Sequence, residues 1–139
     1  MIGTLPVRIY YEDTDAGGVV YYANYLKYLE RGRTEFIRAL GVEQRELARD
    51  TGLAFAVRSL SAEYLKPAVL DDELVVTTAV EALGRAQVTF AQSIARNQGE
   101  MPETLLTATV RVACLDLASG RPTAMPKPLH KQFKQLHTQ

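Results

Sequence analysis

Two carboxylates, Asp13 and Asp15, lie one residue apart in the run Glu12-Asp13-Thr14-Asp15-Ala16-Gly17-Gly18. A β-type segment precedes the run and an amphipathic helical segment follows it. A carboxylate can attack a carbonyl carbon or activate a water. The first N–H groups of a helix lack intrahelical partners and carry partial positive charge, so they can hold the oxyanion that forms. A thioester suits so sparse a set of groups, because a thiolate leaves near neutral pH without prior protonation. The same residues also make an ordinary turn cap. Residue chemistry alone favours the plain turn, with the catalytic reading as its alternative.

Other catalytic sets are absent or misplaced. Ser59, Ser61, Ser93 and Ser119 do not sit in a Gly-x-Ser-x-Gly elbow. Cys114 falls within a β-type run with no histidine nearby and reads as a core residue. His130 and His137 both lie in the C-terminal tail without metal-ligand spacing. An EF-hand loop starting at Asp13 would put Asn24 where its closing Glu is required, so no metal is expected. Gly17-Gly18 matches neither the Rossmann nor the P-loop spacing.

The elements around the loop follow from periodicity. Leu5–Tyr11 predicts a strand with Val7, Ile9 and Tyr11 on one face. Asn24 is expected to cap a helix of about four turns. Its buried stripe runs through Tyr25, Leu29, Gly32, Phe36 and Leu40, and it stops at Gly41. Gly32 within that stripe costs about 1 kcal/mol against Ala, which close packing on a sheet would offset. A shorter helix is expected over residues 42–50. Strands are predicted over 54–65, 73–83, 86–96 and 104–115, with a turn at 97–100. Inward faces read as Leu74, Val76, Thr78 and Val80, then Val88, Phe90 and Ile94, then Leu106, Ala108, Val110, Val112 and Cys114. Hairpin connections imply antiparallel pairing. The simplest architecture is α+β, a long antiparallel sheet wrapped around one central helix. A partner subunit could cover the sheet's far face. The tail from Pro128 to Leu136 is expected to be a short helix docked on the surface.

The 139 residues suggest a single domain, 1–139. Sixteen basic and sixteen acidic side chains cancel, leaving no electrostatic footprint for nucleic acid. One cysteine, no visible signal peptide and no run of roughly 18 apolar residues give the cytoplasm as the expected location and no membrane span.

The segment from Tyr11 through Tyr25, with Asp13-Thr14-Asp15-Ala16-Gly17-Gly18 at its head, closely resembles the signature of the 4-hydroxybenzoyl-CoA thioesterase family, of hotdog fold. The match runs on through Leu29–Glu35, Ala62–Ala68 and Leu70–Asp72, and includes Pro126–Pro128. The nearer branch is the bacterial acyl-CoA thioesterases associated with the Tol-Pal cluster. The resemblance implies hydrolysis of an acyl-CoA or acyl carrier protein thioester, with no cofactor beyond the CoA of the substrate. It implies homodimers or homotetramers with sites at subunit interfaces. Asp15 takes the place of the catalytic carboxylate. Tyr22 supplies the helix-terminal N–H that polarises the carbonyl, and Gly18 and Tyr21 line the pocket. Arg85 aligns with a CoA-contacting basic stretch, and Arg58 is a second candidate for the CoA phosphates. The Tol-Pal branch usually carries His where this chain has Tyr22, whereas the 4-hydroxybenzoyl branch can carry Tyr. The competing readings are a non-catalytic acyl-thioester-binding module and a hotdog hydratase or dehydratase. The latter uses a His near the central helix, and none precedes His130 here.

Overall fold

The computed structural model describes residues 2–97 and 101–138. The order is β1 (Gly3–Arg8), α1 (Asn24–Ala39), α2 (Gln44–Thr51), β2 (Leu53–Tyr64), β3 (Glu73–Leu83), β4 (Gln87–Arg96), β5 (Glu103–Asp116), β6 (Arg121–Pro122) and α3 (Lys127–Thr138). The sheet runs β1-β3-β4-β5-β2, with the two-residue β6 paired to β5. Every pairing is antiparallel, as the hairpin spacing predicts. Register shifts at Val57/Ser59, Val80/Ala82 and Ile94/Ala95 add local twist to strands already long enough to curl. Residues 98–100 of the expected turn lie outside the described residues.

Alternation decides which side chains meet the helix. Leu74, Val76, Thr78 and Val80 of β3, Val88, Phe90 and Ile94 of β4, and Leu106, Ala108, Val110, Val112 and Cys114 of β5 are buried in the predicted register. Cys114 is fully buried and burial pushes its thiol up, which suits a core residue.

α1 buries a wider stripe than expected, adding Tyr28, Arg33 and Ile37 to the predicted positions. Arg33 is the surprise, since a buried cation needs partners. It donates through Nη1 to Gln92 Oε1 at 3.0 Å, and Gln92 Nε2 donates to the Leu29 carbonyl and to Thr78 Oγ1, both at 2.9 Å. This polar cluster stitches the helix to β3 and β4.

Gly32 lets the helix approach that cluster. A Cβ there would lie 2.8 Å from Val76 Cγ1, 3.1 Å from Thr78 Oγ1 and 3.2 Å from Gln92 Nε2. Val76 is stiff at χ1, and the other two atoms are committed to hydrogen bonds. The overpacking should outweigh the helix propensity that Ala gains, so Gly32→Ala is expected to lose about 1–2 kcal/mol. Urea unfolding checks this, and an unchanged or raised midpoint would refute the close-packing account.

The C-terminal helix corrects the sequence reading. It is not docked on the surface but completes the core, with Leu129 and Phe133 buried. Phe36, Phe90 and Phe133 form an edge-to-face chain, with ring centroids 5.8 and 6.1 Å apart. Gln132 Nε2 donates to the Leu40 carbonyl at 3.0 Å, joining α3 to the end of α1.

Candidate active site

The loop between β1 and α1 is held from several sides. β1 ends at Arg8 and Ile9 is buried, but Tyr11 is not the last inward residue of the strand. It opens a short 3-10 turn, Tyr11–Asp13, and is 82% exposed. The cause is Asp13, whose carboxylate accepts the Tyr10 N–H at 2.8 Å while its own N–H donates to the Tyr10 carbonyl at 3.0 Å. The Asp13 carbonyl then accepts the Tyr21 N–H at 3.0 Å and Asn24 Nδ2 at 2.9 Å. Asn24 is therefore not the cap. It is the first helical residue, Ala23 holds the cap position without a side-chain bond, and the Asn24 amide ties the helix back to the loop. Burial, and then the Asp13 carboxylate that it faces, hold the Tyr28 phenol well above its ordinary range.

Asp13 thus ties the loop back to the end of the strand, whereas the Asp15 carboxylate meets only Gly17 within its own turn. Asp15 is exposed. Its Oδ1 accepts the Gly17 N–H at 2.8 Å, and its backbone closes a tight turn through Asp15 N–H to Val19 O at 2.9 Å and Gly18 N–H to Asp15 O at 3.0 Å. Gly18 takes φ +81°, a conformation that a side chain would strain. Beyond the turn, Val20 N–H donates to the Ala68 carbonyl at 2.9 Å, fastening the loop to the segment after β2.

Asp15 and Tyr22 share a cavity of about 330 Å3 with Val19, Tyr25, Tyr64 and Lys66. A larger cleft of about 550 Å3 lies between α1 and α2, lined by charged side chains such as Glu30, Arg38, Glu43 and Arg45. It too holds a helix start beside carboxylates, that of α2 at Gln44 with Glu43 and Glu46, but none of the loop from Tyr11 to Tyr25 that carries the family resemblance lines it, so the smaller cavity is the better reaction site. Among the described residues, the backbone amides of Tyr22 and Ala23 meet no acceptor, while Asn24 N–H is spent on the Tyr21 carbonyl at 2.9 Å. The arrangement offers a carboxylate and the unspent Tyr22 amide at one cavity, with the unspent Ala23 amide next in the chain.

The other predicted site residues are dispersed. Tyr21 lies outside the lining, its ring 4.9 Å from that of Tyr22. Gly18 shapes the loop without lining the cavity. Arg58 occupies the bulge of β2 and Arg85 the β3–β4 turn, both exposed and neither lining the cavity. Conversely, Tyr25, Tyr64 and Lys66 line it without having been assigned there from sequence. Tyr64 and Lys66 lay inside the matched Ala62–Ala68 segment, where the pattern marked them but no chemistry singled them out. Tyr25 belongs to the predicted buried stripe, and it is buried. Its hydroxyl accepts the Ala68 N–H at 3.0 Å.

Comparison with known proteins bears on the family and the fold. The sequence model of the thioesterase-like superfamily matches residues 10–133. An acyl-CoA thioesterase from Haemophilus influenzae, YbgC, is 46% identical over 133 residues, 96% of this chain and 95% of its own length. A probable thioesterase from Bartonella henselae superposes with TM-score 0.81 at 35% identity, covering 91% of this chain and all of that one. A mutant 4-hydroxybenzoyl-CoA thioesterase complexed with 4-hydroxybenzoyl-CoA superposes with TM-score 0.86 at 21% identity, over 94% of this chain and 96% of its own, which speaks to the fold. The resemblance carried by Tyr11–Glu35 and the segments after it extends over nearly the whole chain, and the protein belongs to the thioesterase-like superfamily, with the hotdog arrangement of a curled antiparallel sheet around a central helix.

Proposed function

We propose that residues 1–139 act as one catalytic domain that hydrolyses acyl-CoA thioesters to free acid and CoA. The observation that carries this reading is the shared cavity of Asp15 and Tyr22, where one carboxylate has no structural partner but Gly17 and one helix-start amide is unspent. Asp15 adds to the thioester carbon itself or removes a proton from the water that adds. The carbonyl electron pair moves to oxygen, where the Tyr22 N–H stabilises it. The C–S bond then breaks and the thiolate leaves; where Asp15 is the nucleophile, water next hydrolyses the acyl–Asp15 anhydride to the free acid and restores the carboxylate. No cofactor takes part, and CoA enters as part of the substrate. Arg58 and Arg85 stand as candidate contacts for its phosphates. The cytoplasm is the proposed location. Among the described residues, no helix is long and apolar enough to cross a membrane.

The reaction is tested by incubating the pure protein with short-chain, long-chain and aromatic acyl-CoAs, beside an acyl carrier protein thioester, and following free thiol. Steady turnover of at least one substrate is expected. Release from none of them would sink the proposal, and tight binding without release would favour a non-catalytic module.

We further propose that the working form is a homodimer or homotetramer. β2 is a twelve-residue edge strand with Val57 and Leu60 exposed, and a long unpaired edge invites a second copy. Light scattering is expected to give two or four chains per particle, and Leu60→Lys to shift that distribution toward the monomer. A wild-type monomer at micromolar concentration would refute this.

A further inference from the structure

We propose that Tyr64 is a positioning residue of the thioester site, which sets the Tyr22–Ala23 peptide so that the Ala23 N–H stands beside the Tyr22 N–H as a second donor to the thioester oxygen. The inference rests on the thioesterase reading and adds a donor and its support to it. A trans peptide puts its N–H and C=O on opposite sides. Holding a carbonyl therefore aims the amide joined to it. The Tyr21 carbonyl is held by the Asn24 N–H at 2.9 Å, which aims the Tyr22 N–H. The Tyr22 carbonyl is held by the Tyr64 hydroxyl at 3.0 Å, which aims the Ala23 N–H. The Asn24 N–H to Tyr21 carbonyl bond closes a turn whose second central residue, Ala23, has φ −71° and ψ −20°, the type I combination, in which Tyr22 is right-handed as well and the Tyr22 and Ala23 N–H groups point the same way. Neither amide meets an acceptor among the described residues. A carbonyl that accepts a hydrogen bond also polarises its own N–H, making it the better donor.

Tyr64 is placed for this role. It ends β2, lines the cavity, and packs edge-on against Tyr22 and Tyr25 with ring centroids 6.5 and 5.6 Å apart. Tyr25 is itself anchored through Ala68. Burial, and then the neighbouring Tyr22, push the Tyr64 phenol above its ordinary value, so it remains a proton donor throughout the neutral range.

Tyr64→Phe removes the hydroxyl and keeps the ring. Weakening one oxyanion donor, rather than deleting it, should lower kcat about 10-fold with KM within about twofold. The melting temperature should not move. A structural role would not alter the bound carbonyl, so infrared difference spectra supply the second measurement. In an Asp15→Asn background, an acyl-CoA labelled with 13C at the thioester carbon should show its C=O stretch lowered on binding. Adding Tyr64→Phe should return part of that shift. An unchanged kcat, or a fall in kcat with an unchanged carbonyl stretch, would overturn the role of Tyr64 alone. A wild type that hydrolyses no thioester would overturn the thioesterase reading and this inference with it.

Discussion

Asp15→Asn is expected to slow acyl-CoA hydrolysis by about 100-fold or more, the scale of losing a general base or nucleophile. Asn is the informative replacement because its amide oxygen can still accept the Gly17 N–H that Asp15 Oδ1 accepts at 2.8 Å. The turn through Val19 and Gly18 uses only the Asp15 backbone, so it survives the change. The side chain is exposed, and no ion pair involving it occurs among the described residues, so the melting temperature should stay within a degree or two of wild type. Initial rates of thiol release, measured at saturating and at limiting substrate, check the effect. Rates within about threefold of wild type would remove Asp15 from the reaction. If the loss is seen, a single turnover in oxygen-labelled water separates the two roles, because only nucleophilic attack leaves label in the Asp15 carboxylate. Asp13 answers differently to substitution. Its carboxylate holds the Tyr10 N–H, so its loss acts on the loop before it acts on chemistry.

Phe133→Ala should cost about 3–5 kcal/mol of unfolding free energy, the range for deleting a fully buried aromatic ring. Phe133 has no solvent exposure and closes the edge-to-face chain that begins at Phe36 on the central helix and passes through Phe90 on β4. Truncation would leave a void between α3 and the sheet, since Leu129 and the neighbouring strands are already packed. Phe133 does not line the Asp15 cavity. Below the unfolding transition, kcat should therefore be preserved while the urea midpoint falls. A loss under about 1 kcal/mol would mean that the tail helix is a surface appendage after all.

These two residues mark what local pattern can and cannot reveal. Asp15 stood out through its place in an extended matched segment, although its chemistry alone did not distinguish it from Asp13. The difference between them lies in which backbone amides each carboxylate meets. Phe133 shows helical spacing with Leu129 and Leu136, which defines an apolar face but not what that face covers.

Local pattern along the chain sets the elements and their inward faces. Strand alternation and helical periodicity depend on neighbours a few residues away, and the burial of β3, β4 and β5 follows the predicted register. It also determined that Gly32 needs close packing, because a glycine within a buried stripe has few other uses. Contacts made in the folded chain turn Tyr11 out of the strand, tie helix to loop through Asn24, and bury Arg33 on Gln92, 59 positions away. The same holds for the Tyr64 hydroxyl on the Tyr22 carbonyl, 42 positions apart. Each is a hydrogen bond or a packing contact between segments that meet only when the sheet closes around α1. The donors and acceptors are common residue types, and no local spacing announces their partners.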